Sequence, residues 1–216
     1  SCRPYSSDYL TFCRTHLMQY CKEQYIMVIQ DVRGRWMSEG EFVDVRPFNP
    51  NKKTKQDIDE STDAYDTIDW MVKNLENNNG NVGVLGTSYP GFYSNMASLS
   101  GHPALKAVSP QAPVTDWFVG DDFHHNGAFF QMDAFDFYFG GGFGQPHPKP
   151  TPLPAKKYDY PVHDNYEFYL RAGALQNLTK LVGDSIKFWN EMMNHPNRDA
   201  WWQARDARRA TKNLQP

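Results

Sequence analysis

Residues 82–92, Val82-Gly83-Val84-Leu85-Gly86-Thr87-Ser88-Tyr89-Pro90-Gly91-Phe92, decide how this chain is read. A short, mostly apolar run bounded by glycines has the pattern of a buried strand. A single serine follows, and Pro90 stands where the first turn of a helix needs no amide donor. The spacing predicts a strand over 82–85, a sharp turn at Ser88 and a helix over about 89–99, with Gly91, Ser94 and Ala97 keeping one helix face small. Such a turn can project a serine as a nucleophile, with the following amide, that of Tyr89, aimed at a developing oxyanion. It can also be an ordinary structural turn. The usual elbow has glycine two residues after the serine, whereas here Pro90 stands there and the glycine comes one later. The strand–turn–helix context favours the nucleophile.

Working outward, Tyr25-Ile26-Met27-Val28-Ile29 reads as a second buried strand, and residues 36–56 as a long loop interrupted by Pro47 and Pro50. Apolar residues at Tyr65, Ile68, Val72 and Leu75 recur at helical spacing and predict a helix over Asp57–Leu75, stopped by Asn77-Asn78-Asn79-Gly80. Leu105–Val108 is a third strand candidate. Strands alternating with helices imply a parallel α/β sheet. Beyond Asp116 the composition changes. Aromatic residues crowd Trp117–Phe139, a Gly/Pro-rich stretch covers 140–154, and 165–207 reads as helical, with Trp189, Met192, Met193, Trp201 and Trp202 as candidate core. The expectation is an α/β core over 1–116 and a mostly helical cap over 117–216.

The net charge is −3 over 216 residues with no stripe of Lys and Arg, which argues against a nucleic-acid partner. No apolar run approaches the roughly 20 residues of a membrane span. The three cysteines, Cys2, Cys13 and Cys21, lack zinc spacing and read as incidental. No His/Asp/Glu set has ligand spacing, so neither a metal nor another cofactor is expected. The pair His124-His125 reads as polar cap surface. The first residues carry no export signal and no initiating Met, so the chain is expected to begin inside a longer protein.

Gly86-Thr87-Ser88-Tyr89-Pro90-Gly91 resembles the elbow of the S15 peptidase and cocaine-esterase group of α/β-hydrolases. Gln30-Asp31-Val32-Arg33-Gly34-Arg35, Ser38-Glu39-Gly40-Glu41-Phe42 and Asp63–Trp70 resemble the same group in the same order. Within it, His102-Pro103-Ala104-Leu105-Lys106, Gly120-Asp121-Asp122-Phe123 and Gly127-Ala128-Phe129 are most similar to the α-amino-acid ester hydrolases. The resemblance implies a partial α/β-hydrolase fold, a parallel sheet flanked by helices, under a mostly helical cap. It implies Ser88 as nucleophile in an acyl-enzyme mechanism, with the Tyr89 amide as one oxyanion donor. Arg3-Pro4-Tyr5 imperfectly resembles the segment whose tyrosine hydroxyl is the second donor, which points to Tyr5. Asp122 matches a carboxylate that holds the substrate's α-ammonium, although Asp121 and Asp122 can equally cap a helix.

None of the histidines resembles the family's catalytic histidine. That histidine and the catalytic aspartate are expected beyond Pro216, so the chain is expected to be a fragment, inactive alone because a serine without its base is a weak nucleophile. The substrate expected is a small ester or amide with an α-amino acyl group. A cocaine-esterase-like carboxylesterase, an X-Pro dipeptidyl peptidase and a hydrolase-like binding module without catalysis are the alternatives. Homo-oligomerisation and export are compatible with the resemblance and are not read from the residues.

Overall fold

A computed structural model describes residues 2–3, 17–120, 122–141, 143–144 and 157–214. Strand β1 (Cys2–Arg3) runs parallel to β2 (Gln30–Asp31), with Cys2 opposite Gln30, and the short helix α1 (Met18–Lys22) lies between them in sequence. The strand expected over Tyr25–Ile29 is not formed. Among the described residues, β1 is the strand beside β2, and the two match over two residues only. Tyr25 and Ile26 are accordingly 64% and 49% exposed.

Helix α2 (Glu60–Asn74) starts later than Asp57 because Asp59 is its cap. The Asp59 carboxylate accepts the amides of Ser61 at 3.0 Å and Thr62 at 3.1 Å, and Thr62 Oγ1 accepts the Asp59 amide at 3.0 Å. Asp57 serves the turn before it, accepting the amides of Lys53 and Thr54. At the other end, Asn78 donates to the carbonyls of Val72 and Leu75.

Strand β3 (Val82–Thr87), helix α3 (Tyr89–Ser98) and strand β4 (Leu105–Gln111) form one β-α-β unit, with β3 and β4 parallel and Thr87 opposite Gln111. A hairpin follows. β5 (His124–His125) pairs antiparallel with β6 (Ala128–Phe129) through Asn126 and Gly127, whose φ angles of 52° and 83° are what a tight two-residue turn requires. Helix α4 (Gln131–Phe135) runs into a π-helical turn over Asp136–Gly140. The rest is helical: α5 (Asn165–Ala172), α6 (Leu175–Val182), α7 (Lys187–Asn194), α8 (Ala200–Ala204) and α9 (Ala207–Ala210).

One apolar cluster joins these parts. Tyr89, Phe92 and Met96 of α3 share it with Trp117, Phe123, Phe135, Tyr138, Phe188, Trp189 and Trp202. The aromatic density after Asp116 is therefore mainly core, with Phe135 and Tyr138 fully buried. Trp189, Met192 and Trp202 are buried as expected, and Met193 and Trp201 pack against them partly covered.

A buried ion network fastens the segment after β4 to the last helices. Asp116 Oδ2 accepts Nη2 of Arg198 at 2.8 Å and Nη2 of Arg208 at 2.7 Å, while its Oδ1 takes the amides of Phe118 and Val119. Asp206 shares both arginines. Removing an acid from such a network strands its partners. Here Arg198 and Arg208 are 31% and 53% exposed and can be rehydrated, which lowers the loss below that of a fully buried pair. Asp116→Ala is expected to lower stability by about 2 kcal/mol in urea unfolding. A change under about 0.5 kcal/mol would show that the network fastens nothing.

Candidate active site

Ser88 joins β3 to α3 at φ 63° and ψ −124°, a region an L-residue occupies only when its surroundings enforce it. Three hydrogen bonds enforce it. The Ser88 amide donates to the Gln111 carbonyl at 2.9 Å, and the Ser88 carbonyl accepts the amides of Phe92 at 3.2 Å and Val114 at 3.4 Å. The side chain is exposed to solvent.

The glycines beside it are steric necessities. A Cβ on Gly86 would lie 2.2 Å from the Pro90 carbonyl oxygen, and one on Gly91 would lie 2.8 Å from Pro113 Cα and 2.9 Å from the Gln111 oxygen. Gly91 thus gives the close approach of helix to strand that the elbow pattern usually assigns one residue earlier. Pro90 fits because it stands in the first turn.

Tyr89 points inward and is 1% exposed. Its ring stacks on Tyr93 at 5.4 Å and meets Phe92, Trp117 and Phe143 at 6.0, 5.8 and 5.4 Å. Its phenol oxygen accepts the Val45 amide at 2.9 Å and donates to Asp44 Oδ1 at 2.9 Å. The Tyr138 phenol donates to the same oxygen at 3.2 Å. Withdrawal from water pushes the Asp44 carboxyl up to about 6, opposed by the two phenols and by the charge of Arg35. Burial also raises the Tyr89 phenol well above its ordinary value, so it remains a donor. Neither Asp44 nor Tyr138 is distinguishable in the sequence. Asp44 lies in a loop with no periodicity, and its partners come from 45 and 94 residues away.

Asp122 is exposed and lies two residues before the first strand of the hairpin. Its neighbour Phe123 is buried and meets the Trp117 ring at 4.2 Å, and Trp117 in turn meets Tyr89. Two ring contacts therefore connect the Asp122 backbone to the serine turn. Tyr5 and Asp121 lie outside the described residues.

The histidines divide clearly. His102 is buried, accepts the Ala104 amide on Nδ1 at 3.1 Å and meets the Tyr65 ring at 4.6 Å. His195 Nδ1 lies 2.5 Å from Asp199 Oδ2, but Asp199 is also the cap of α8, taking the amides of Trp201 and Trp202. His124 was expected on a polar surface, and the structure corrects this for that residue. It is 4% exposed, stacked on Phe118 at 4.0 Å and edge-on to Trp202 at 5.3 Å, and burial lowers its pKa. Its partner His125 is exposed, as expected. Among the described residues no hydrogen bond joins Ser88 Oγ to a histidine, and no group of three or more His, Cys, Asp or Glu side chains is placed to hold a metal. No helix is long and apolar enough to cross a membrane. A cavity of about 220 Å³ is lined by Arg46, Phe48, Phe92, Met96 and Arg205 among others, and Ser88 is not part of its wall.

The profile of the X-Pro dipeptidyl-peptidase (S15) family matches residues 2–215. The chain belongs to that family. Among curated relatives, the cocaine esterase of Rhodococcus sp. (strain MB1 Bresler) is 36% identical over 104 residues, 48% of this chain and 16% of that enzyme. A solved α-amino acid ester hydrolase superposes with a TM-score of 0.82 at 33% identity, covering 99% of this chain and 35% of that one. An aminopeptidase from a marine sediment Thaumarchaeota archaeon superposes with a TM-score of 0.83 at 34% identity, covering 97% of this chain and 35% of that one. The chain thus corresponds to about a third of the length of these structures. At these identities the fold is the α/β-hydrolase fold, represented by its central β-α-β portion and the helical part packed on it.

Proposed function

We propose that these residues belong to a serine hydrolase that cleaves or transfers α-amino acyl groups from esters and amides. The observation that carries the reading is an exposed serine at φ 63° between a parallel strand and a helix, with glycines where a Cβ cannot fit. Family membership and the likeness to an α-amino acid ester hydrolase support it.

In this reading Ser88 Oγ attacks the acyl carbonyl, the alcohol or amine leaves, and water releases the acyl group from the serine. The oxyanion that forms faces the Tyr89 amide, in the first turn of the helix that Ser88 caps. The Tyr5 hydroxyl is the proposed second donor. Asp122 is proposed to take the α-ammonium of the acyl group in a charge-assisted hydrogen bond. The chain spans about a third of the length of the structures it matches, and the base and its aspartate are proposed to belong to the part of that length it does not span, so the activity is proposed for a protein of that full length.

Two measurements on that protein test the reading. A fluorophosphonate probe should modify Ser88, and an intact fold without label would replace the hydrolase with a binding module. Hydrolysis of an α-amino ester should exceed that of its desamino analogue by about 10- to 100-fold in kcat/KM, and Asp122→Asn should erase most of the difference. Equal rates on the two esters would remove Asp122 from its role and favour a cocaine-esterase-like carboxylesterase.

A further inference from the structure

We propose that Asp44 is a positioning residue for the reaction at Ser88: by accepting the Tyr89 phenol, it fixes the peptide unit that presents the oxyanion donor. The inference rests on the hydrolase reading above and extends it to a residue that meets neither substrate nor nucleophile.

The geometry supplies a chain of constraint with two anchored ends. At the near end, the Ser88 carbonyl is held by the amides of Phe92 and Val114. The Ser88–Tyr89 peptide is planar, so a carbonyl fixed on one side fixes the Tyr89 N–H on the other. That leaves the Tyr89 Cα as the point about which the unit can tilt. At the far end, the Tyr89 side chain is pinned by its oxygen, which accepts from Val45 and donates to Asp44 at 2.9 Å each. Between the ends, the ring is enclosed by Tyr93, Phe92, Trp117 and Phe143. Packing resists translation of a ring, but it leaves sliding along the ring axis to the hydrogen bonds at the tip.

Asp44 is suited to this task. One Asp44 oxygen accepts both phenols, from Tyr89 at 2.9 Å and Tyr138 at 3.2 Å, and an ionised carboxylate is a stronger acceptor than a neutral group. Tyr138 belongs to the π-helical turn after α4, so the same oxygen ties the loop of residues 36–56, the serine helix and the helical part together. Catalytic donors must be held within about 0.5 Å of the productive position, and a misplacement of about 1 Å lowers a rate about 100-fold. The loss of one anchor at the ring tip is on that scale.

The test uses the protein with its native flanking sequence and three variants: Tyr89→Phe, Asp44→Ala and Asp44→Asn. An α-amino acid p-nitrophenyl ester is the substrate, and turnover is expressed per Ser88 titrated with the fluorophosphonate, so unfolded molecules do not count. Tyr89→Phe and Asp44→Ala should each lower kcat about 10- to 100-fold with KM within about twofold, the signature of an interaction needed only in the transition state. Asp44→Asn keeps an acceptor oxygen in the same place and should recover most of what Asp44→Ala loses. A residue that only stabilised the fold would shift the melting temperature and leave kcat per titrated site alone. Wild-type kcat in Tyr89→Phe overturns the proposal even where Asp44→Ala fails to fold. Wild-type protein that the probe does not label at Ser88 sinks the hydrolase reading itself, a result distinct from labelled protein with unaffected variants.

Discussion

Ser88→Ala, in the protein with its native flanking sequence, is expected to lower kcat/KM on an α-amino ester by about 10⁴- to 10⁶-fold and to abolish fluorophosphonate labelling, with little change in stability. The proposed nucleophile's neighbour in sequence is no ready substitute. Thr87 is exposed too, but its hydroxyl donates to the Gln111 side chain at 3.2 Å, and it sits on the strand side of the turn. The stability half of the expectation comes from the backbone. Serine and alanine both carry a Cβ and both suffer at φ 63°, whereas glycine does not. Ser88→Gly should therefore be equally inactive and about 1 kcal/mol more stable than Ser88→Ala in urea unfolding. A protein in which the alanine variant keeps more than a hundredth of the activity would need another nucleophile. One in which glycine gives no gain would not hold strain at this turn.

Gly86→Ala is expected to damage the fold severely for so conservative a change. The added methyl would lie 2.2 Å from the Pro90 carbonyl oxygen and 2.5 Å from its carbon, and both belong to backbone that cannot rotate aside. Relief requires α3 to move away from β3, or the turn to open. Either way the Ser88 amide loses its hold on Gln111. Overpacking of this kind destabilises by about 3 kcal/mol or more, and the surviving folded protein should react with the probe more slowly. Gly83→Ala is the internal control, because a Cβ there meets only the Ala107 oxygen at 3.8 Å. Equal stability of the two variants would show that the closeness of strand and helix at Gly86 is tolerated after all.

The contrast between these two glycines shows what the sequence discloses. Gly86, Ser88, Pro90 and Gly91 announce themselves because each answers a local steric demand, and β3, α3 and β4 appear where the pattern puts them. The apolar run Tyr25–Ile29 carries the same local signature and forms no strand, since pairing depends on what lies alongside rather than on the run itself. His124 reads as polar by residue type, yet Phe118 and Trp202 bury it, and both choices are made by tertiary packing. Asp44 gives no signal at all. Its importance comes from two phenols far along the chain, and such a meeting is visible only once the fold has brought them together. Asp122 was found through likeness to a family, not through periodicity.

Tyr89 is a single residue with two obligations, its amide next to Ser88 in the turn and its ring among Trp117, Phe143 and Tyr93. Attempts to retune acyl preference should accordingly begin around Asp122 and leave those aromatic neighbours untouched. A mutant library that diversifies the interior would detune the reaction and the architecture together, and its survivors would report tolerance of rearrangement rather than a new specificity.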